Sequence, residues 1–253
     1  MLDIVKGSIQ GFVKIIDKET GEVLVDTHND VLYGNISSAL AQSLIGNPNS
    51  LLYYMAFGNG GAYVGPTGLI SYKTSIGGAS SLKKNPTANL YNTIYVKKLS
   101  NSSTNVAVFD STSEAYIPAE DFSTNYEDII VDVTLGYSEP PASITGATAI
   151  TQSIIDNSAF IGSATNTSGV STAQELVFNE IGLFAGTDNL FTGSFTQTST
   201  DVANFINQSA NFSTSAGTQS KLMLTHVIFH PIQKAANRSL EIIYTLRIQM
   251  GSN

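Results

Sequence analysis

The sequence predicts a mainly β protein: an antiparallel β-sandwich with one N-terminal α-helix and long extended loops or arms. Three observations carry this. First, Leu240, Ile242, Tyr244, Leu246, Ile248 and Met250 alternate with Ser239, Glu241, Ile243, Thr245, Arg247 and Gln249. One face is apolar and the other mostly polar, the period of a half-buried strand. Second, a strand from Lys221, turning around Pro231 and Asn237, precedes it, so the last thirty or so residues close a sheet over a core. Third, charged residues make up only 13% of the chain, against a usual quarter or so. Ser, Thr, Asn and Gly must cover the surface instead, and charge depletion is a mark of interface cores.

From the N-terminus, residues 8–16 and 22–26 read as a hairpin. Ile9, Val13 and Ile15 share one face, Phe12 and Ile16 the other, and Asp17-Lys-Glu-Thr-Gly21 supplies the turn. The period then changes. Leu32, Ile36, Leu40 and Leu44, with Ala39 beside them, predict one apolar stripe on a helix over about 30–45. Asn29 or Asp30 is the expected N-cap, and Gly46 with Pro48 the stop signal. Leu51–Phe57 is a short strand running into Gly58-Asn-Gly-Gly61, a tight turn built on Asn59-Gly60.

Two polar stretches interrupt the strands. Residues 62–88 hold no sustained period, and a loop this long in a compact domain is usually functional or disordered. Tyr63, Leu69, Ile70 and Tyr72 punctuate it, so it is expected to be an arm that orders against a neighbour. Residues 197–219, with Val202, Phe205, Ile206 and Phe212, form a candidate second arm holding up to one turn of helix. Between the arms, strands are expected at 90–98, 105–109, 128–137, 150–160 and 175–185, all within a single domain spanning 1–253.

Composition excludes several functions. There is no cysteine, so disulfide frameworks and thiolate metal sites are out. The formal net charge is −8 and the basic pairs Lys83-Lys84 and Lys97-Lys98 are too few for a nucleic-acid footprint. No apolar run is long enough to cross a bilayer, and the first residues lack the pattern of a signal peptide. The expectation is a soluble protein synthesised in the cytoplasm, without membrane contact.

The chemical motifs are weak. His226 and His230 have zinc-helix spacing, but their flanks alternate like a strand, on which four residues span about 13 Å, so metal binding is rejected. The carboxylate pairs Glu120-Asp121 and Glu127-Asp128 lie in a polar connector and no tryptophan offers a sugar platform, so glycoside hydrolysis is not favoured. Gly58-Asn-Gly-Gly61 opens no helix and lacks a following Gly-Lys-Ser/Thr. No Gly-x-Ser-x-Gly elbow is present. The sharpest motif is Phe178-Asn-Glu-Ile-Gly-Leu-Phe184, in which alternation puts Glu180 on the face of two phenylalanines. A buried carboxylate needs a partner, and Arg247 or Arg238 is expected to form a structural salt bridge with it.

The segments Tyr54-Met-Ala-Phe-Gly-Asn-Gly60, Phe178-Asn-Glu-Ile-Gly-Leu-Phe184 and Asn237-Arg-Ser-Leu-Glu-Ile-Ile-Tyr-Thr-Leu-Arg-Ile248, with Asn29, Leu32, Ile36 and Leu40 after the first hairpin, carry a resemblance. The chain resembles structural proteins of tailed-bacteriophage virions, of the kind found in necks, collars, tails and baseplates. The resemblance implies a β-sandwich subunit located in the virion that works without a cofactor and assembles into a ring or shell. Its partners would be copies of itself and other virion proteins. The alternatives are a receptor- or carbohydrate-binding fibre or baseplate module, using Tyr63, Tyr72, Tyr91 and Tyr95 as a ligand surface, and a capsid decoration protein.

Overall fold

The computed structural model describes residues 5–77, 82–99, 106–108, 126–137, 139, 176–187, 199–208, 220–235 and 237–252. They are mainly β. Strands β1 (Val5–Asp17) and β2 (Val23–Val31) form the N-terminal hairpin, and helix α1 (Tyr33–Leu44) follows them. After a 3-10 turn at Pro48–Ser50 come β3 (Leu51–Gly58), β4 (Ala62–Val64), β5 (Ile70–Tyr72) and β6 (Thr93–Lys98). Next are β7 (Val106–Val108), β8 (Tyr126–Leu135), β9 (Leu176–Gly186) and helix α2 (Ser199–Asn207). The chain ends with β10 (Lys221–Met223), β11 (Thr225–Lys234) and β12 (Leu240–Ser252).

One antiparallel sheet runs in the order β6-β3-β9-β11-β2-β1-β12-β8-β7, with β10 also on β9, and β4 and β5 make a separate two-stranded sheet. The joint between β11 and β2 is only two residue pairs long, Thr225 to Val31 and His226 to Asp30. The sheet is curled, and this is the shortest pairing along it. Lys97 and Tyr95 of β6 reach Glu139 and the Thr134 carbonyl beyond the other half, bringing the two ends of the strand order together.

Inside the curl lies the main core. Val13 and Ile15 of β1, Val131, Val133 and Leu135 of β8, and Leu240, Ile242, Tyr244 and Leu246 of β12 meet Met55, Phe57, Phe178, Ile181 and Leu183 there. The alternation of β12 is therefore realised from Leu240 to Leu246, and Ile248 is only half-buried. A second cluster covers the outer face of the β3–β9 half, where Tyr54, Phe184 and Met223 pack beneath Phe205 of α2 and Ala88 and Leu90 of the β5–β6 connection. Asp17–Gly21 forms the first turn, with Gly21 at φ +72 and the Asp17 carboxylate accepting from the Glu19 and Thr20 amides.

Several local expectations are corrected. Asn29 and Asp30 cap nothing: they belong to β2, paired to β1 and β11, and α1 starts after Leu32 without a side-chain cap. The buried face of α1 is Gly34, Asn35, Ile36 and Ala39, while Leu44 is 87% exposed. Asn35 is inward because its side chain exchanges two hydrogen bonds with the Asn85 backbone and donates to the Met223 carbonyl. Pro231 does not end a strand. It lies within β11, and because proline lacks a ladder donor, the register slips there, between Ile228 and Ile232. The turn falls between Lys234 and Leu240 instead. The expected strand at 150–160 lies outside the described residues.

Candidate functional site

Gly58-Asn-Gly-Gly61 and Phe178-Asn-Glu-Ile-Gly-Leu-Phe184, far apart in sequence, meet in space. β9 is buried along its whole length between β3 and β11. Asn179 accepts from the Gly61 amide at 2.9 Å and donates to the Asn59 carbonyl at 3.2 Å. Glu180 Oε1 accepts from the amides of Gly60 and Asn92, both at 2.9 Å. Its Oε2 accepts from the Tyr91 amide and from His226 Nε2, both at 3.0 Å. Four donors thus converge on one carboxylate that has no exposed surface.

Burial alone would raise the Glu180 carboxyl, but the hydrogen bonds from His226, Asn92 and Tyr91 outweigh it and hold the group below its ordinary value. The carboxylate is charged and fully engaged. Consecutive Asn179 and Glu180 both reach the turn, so the faces of β9 slip at this point. Phe178 joins the cluster of Ile181 and Leu183, and only Phe184 remains in the other. The glycines are required for close approach. A Cβ at Gly58 would stand 2.5 Å from Glu180 Oε1, and one at Gly60 would stand 2.7 Å from the Asn92 nitrogen. Gly60 is not among the positive-φ glycines, so the Asn59-Gly60 step is not the left-handed turn its sequence suggests.

The expected partner of Glu180 is corrected. Arg247 lies on β12, four places from β9 in the sheet. There it clamps its cross-strand neighbour Asp128, Nε to Oδ1 and Nη2 to Oδ2 at 2.7 Å each, with its guanidinium 4.0 Å from the Tyr126 ring centroid. Arg238 pairs with Asp17. His226, fully buried, is the true partner. The sequence hid it because a neutral histidine on a strand looks like a core residue until its two ring nitrogens are placed. Asp128 is likewise a strand residue in an ion pair, while Glu120 and Asp121 lie outside the described residues. His28 is exposed against the Phe12 ring, and among the described residues no cluster of three or more His, Asp or Glu could hold a metal ion.

The bonds from Asn179 and Glu180 to the Gly58–Gly61 turn form a lock that positions the β4–β5 hairpin, which springs directly from that turn. Leu69, in its far turn, is 70% exposed, Tyr63 along β4 and Tyr72 at its base are exposed too, and Ile70 is half-buried. This part of the first expected arm projects. Elsewhere in the arm Ala62 and Ala88 are buried, while residues 82–87 are exposed. Lys221 holds the other expected arm down. Its Nζ donates to Asn89 Oδ1 and to the Ile206 carbonyl, and sits 4.7 Å from the Phe205 ring centroid. Phe205 is buried against Tyr54 and Phe184, Val202 is buried and Ile206 is half-buried. Helix α2 is therefore core and not an arm, because its Val202–Phe205 spacing faces inward. Phe212 lies outside the described residues.

One signal in the chain could have located the projecting surface. From Val31 to Tyr72 there is no Asp, Glu, Lys, Arg or His. That run contains the hairpin and also a second exposed apolar group at the end of α1, Leu44, Ile45 and Leu51. The two groups sit at opposite ends of β3. Comparison of the chain with protein-family models, with curated proteins and with solved structures gave no match.

Proposed function

We propose that the protein is a non-enzymatic structural subunit of a tailed-bacteriophage virion. It assembles into a ring or shell, in the neck or collar first and the tail or baseplate second. The two halves of the curled sheet serve as the layers of a β-sandwich wall, and the β4–β5 hairpin makes the contact with the next copy. The observation that carries this reading is a firmly anchored hairpin with an uncharged, apolar tip. An exposed apolar group on an ordered element marks an interaction site, and charge depletion fits an interface core.

Two further features support a scaffold. Every donor direction around Glu180 is filled by internal groups, so its carboxylate is a fold residue. The apolar groups at opposite ends of β3 suit heterologous head-to-tail contact, which closes into rings. A carbohydrate surface is less favoured. Tyr95 is buried and donates to Glu139, and the Tyr91 ring carries the Lys73 ammonium at 4.4 Å. Only Tyr63 and Tyr72 of the four tyrosines remain for a ligand.

Removing residues 62–88 wholesale would strip donors from His226 and Asn35, so a tip substitution is the cleaner test. Mass measurement by sedimentation across protein concentration is expected to show oligomers for the wild type and monomers for Leu69→Asp, with equal melting temperatures. A wild type that stays monomeric, or a Leu69→Asp variant that assembles equally well, would remove the support for a hairpin-built ring.

A further inference from the structure

Both histidines of β11 grip the segment returning from the hairpin. The Ile76 amide donates to His226 Nδ1 at 2.8 Å, and Ser75 Oγ donates to the His226 carbonyl at 3.1 Å. Tyr72 Oη lies 3.0 Å from His230 Nδ1, and Tyr91 Oη donates to the Thr74 carbonyl at 2.7 Å. Among the described residues no strand ladder joins the β4–β5 sheet to the larger one. Residues 72–76 are a strap fastened to β11 chiefly by side-chain hydrogen bonds.

The two histidine grips differ in what a proton does to them. The Tyr72 contact survives either charge state of His230, because a neutral Nδ1 accepts from the hydroxyl and a protonated one donates to it. The Ile76 contact has no such freedom. A backbone N–H can only donate, so His226 Nδ1 must keep its lone pair. The single ring proton then sits on Nε2, where it donates to Glu180. A second proton has one place to go, Nδ1, and there it meets the Ile76 N–H head-on. The same proton turns the Glu180 contact into a full ion pair, so the sheet side of the ring is held more firmly while the strap side lets go.

The charged and titratable groups facing His226 are few. Glu180 comes from β9 and Asp30 is its register partner on β2. The Tyr91 ring is 5.8 Å away, with Lys73 above it, and His230 lies further along the same strand. Histidine is the side chain whose charge ordinarily changes between about pH 5 and 8.

We propose that His226 is an acid-sensitive latch: its protonation releases the Ile76 amide and loosens that end of the strap at residues 72–76, while the Tyr72–His230, Tyr91–Thr74 and Lys73–Gly61 contacts and the large sheet stay intact. The latch works whatever the hairpin docks against, so it stands or falls apart from the assembly reading.

Amide hydrogen exchange on the full chain tests it, resolved by residue at about pH 7.5 and about pH 5.5, with each rate divided by the intrinsic rate at that pH. One proton taken up changes an equilibrium by up to about tenfold per pH unit. The wild type is therefore expected to lose about tenfold or more of its protection at Ile76, with Leu183 in the sheet centre unchanged. Two variants separate the ring nitrogens. In His226→Asn the side-chain oxygen stands in for Nδ1, so Ile76 stays protected at both pH values. In His226→Gln the side-chain nitrogen stands in for Nε2, so Ile76 is unprotected at both. Should a variant not fold, ring-nitrogen NMR of the wild type decides, because Nδ1 must gain its proton over the same pH range in which Ile76 loses protection. Unchanged protection at Ile76, an equal loss at Leu183, or an equal loss in a folded His226→Asn each overturns the latch.

Discussion

Replacing Glu180 by glutamine changes one atom and removes one charge, which makes it a sharp probe of the lock. The side-chain oxygen of glutamine can take the place of Oε1 and keep the Gly60 and Asn92 amides satisfied. Its NH2 group then occupies the place of Oε2, where it faces the Tyr91 N–H and the His226 Nε2–H, donor against donor. His226 cannot adapt by moving its proton to Nδ1, because Ile76 donates there. Two buried donors lose their acceptor. At about 1–3 kcal/mol each, the cost is roughly 2–6 kcal/mol. For a chain this long that is a fall in melting temperature of roughly 4–24 °C, at about 2–4 °C per kcal/mol. Urea unfolding followed by circular dichroism reads it directly as a lower midpoint. Because the Glu180 carboxyl is held below its ordinary value of 4.5, its contribution is complete above that value and is lost as pH falls through the folded-state value. The gap between wild type and variant must therefore shrink in acid. A Glu180→Gln variant within about 0.5 kcal/mol of wild type at neutral pH would refute the four-donor account.

Other outcomes follow from the same structure. Burial raises the Asp17 carboxyl, but the Arg238 guanidinium and the Thr20 and Glu19 amides more than offset this and hold it at about 2. Arg238→Ala should lower stability at neutral pH, and calorimetry should show the gap closing as pH falls from 3.8, the ordinary value, toward 2. Burial pushes the Lys221 amine down to about 7, so the unfolded chain holds more protons between that value and the ordinary 10.5. Wild-type stability should rise with pH over this range, and Lys221→Met should flatten the rise, measured by urea midpoints at several pH values. Phe205→Ala should cost about 3–5 kcal/mol in the same assay, although 197–219 resembles an arm in sequence. A cost below about 1 kcal/mol would return α2 to the surface.

What the sequence made legible was local and periodic. The strict alternation of Leu240 to Leu246 survives intact because β12 has one face on the core and one outside it. The first hairpin is similarly plain, since Asp17 and Gly21 carry the turn chemistry within five residues. Where tertiary contact overrides local preference, the sequence misleads. Leu40 and Leu44 continue the four-residue period of α1, yet they are exposed because Asn35 is drawn inward by the Asn85 backbone. Asn29 and Asp30 have good capping chemistry, but strand pairing on both sides keeps them extended.

The site was half legible. Glu180 stands out as a buried carboxylate in need of a partner, and that need is real. Its actual partners are three backbone amides and one histidine brought together by β3, β11 and the loop before β6. Backbone donors leave no trace in residue type, and charge matching alone points to arginine. The glycines of Gly58-Asn-Gly-Gly61 gave the missing clue, since a Cβ at Gly58 would collide with the carboxylate.

Electron microscopy of the assembled protein at side-chain resolution tests the central claim most directly. The account predicts a closed ring in which Tyr63 and Leu69 of each copy are buried against the next, with the Glu180–His226 contact intact beneath them. A ring whose subunit contacts lie elsewhere, leaving the hairpin tip in solvent, would contradict it.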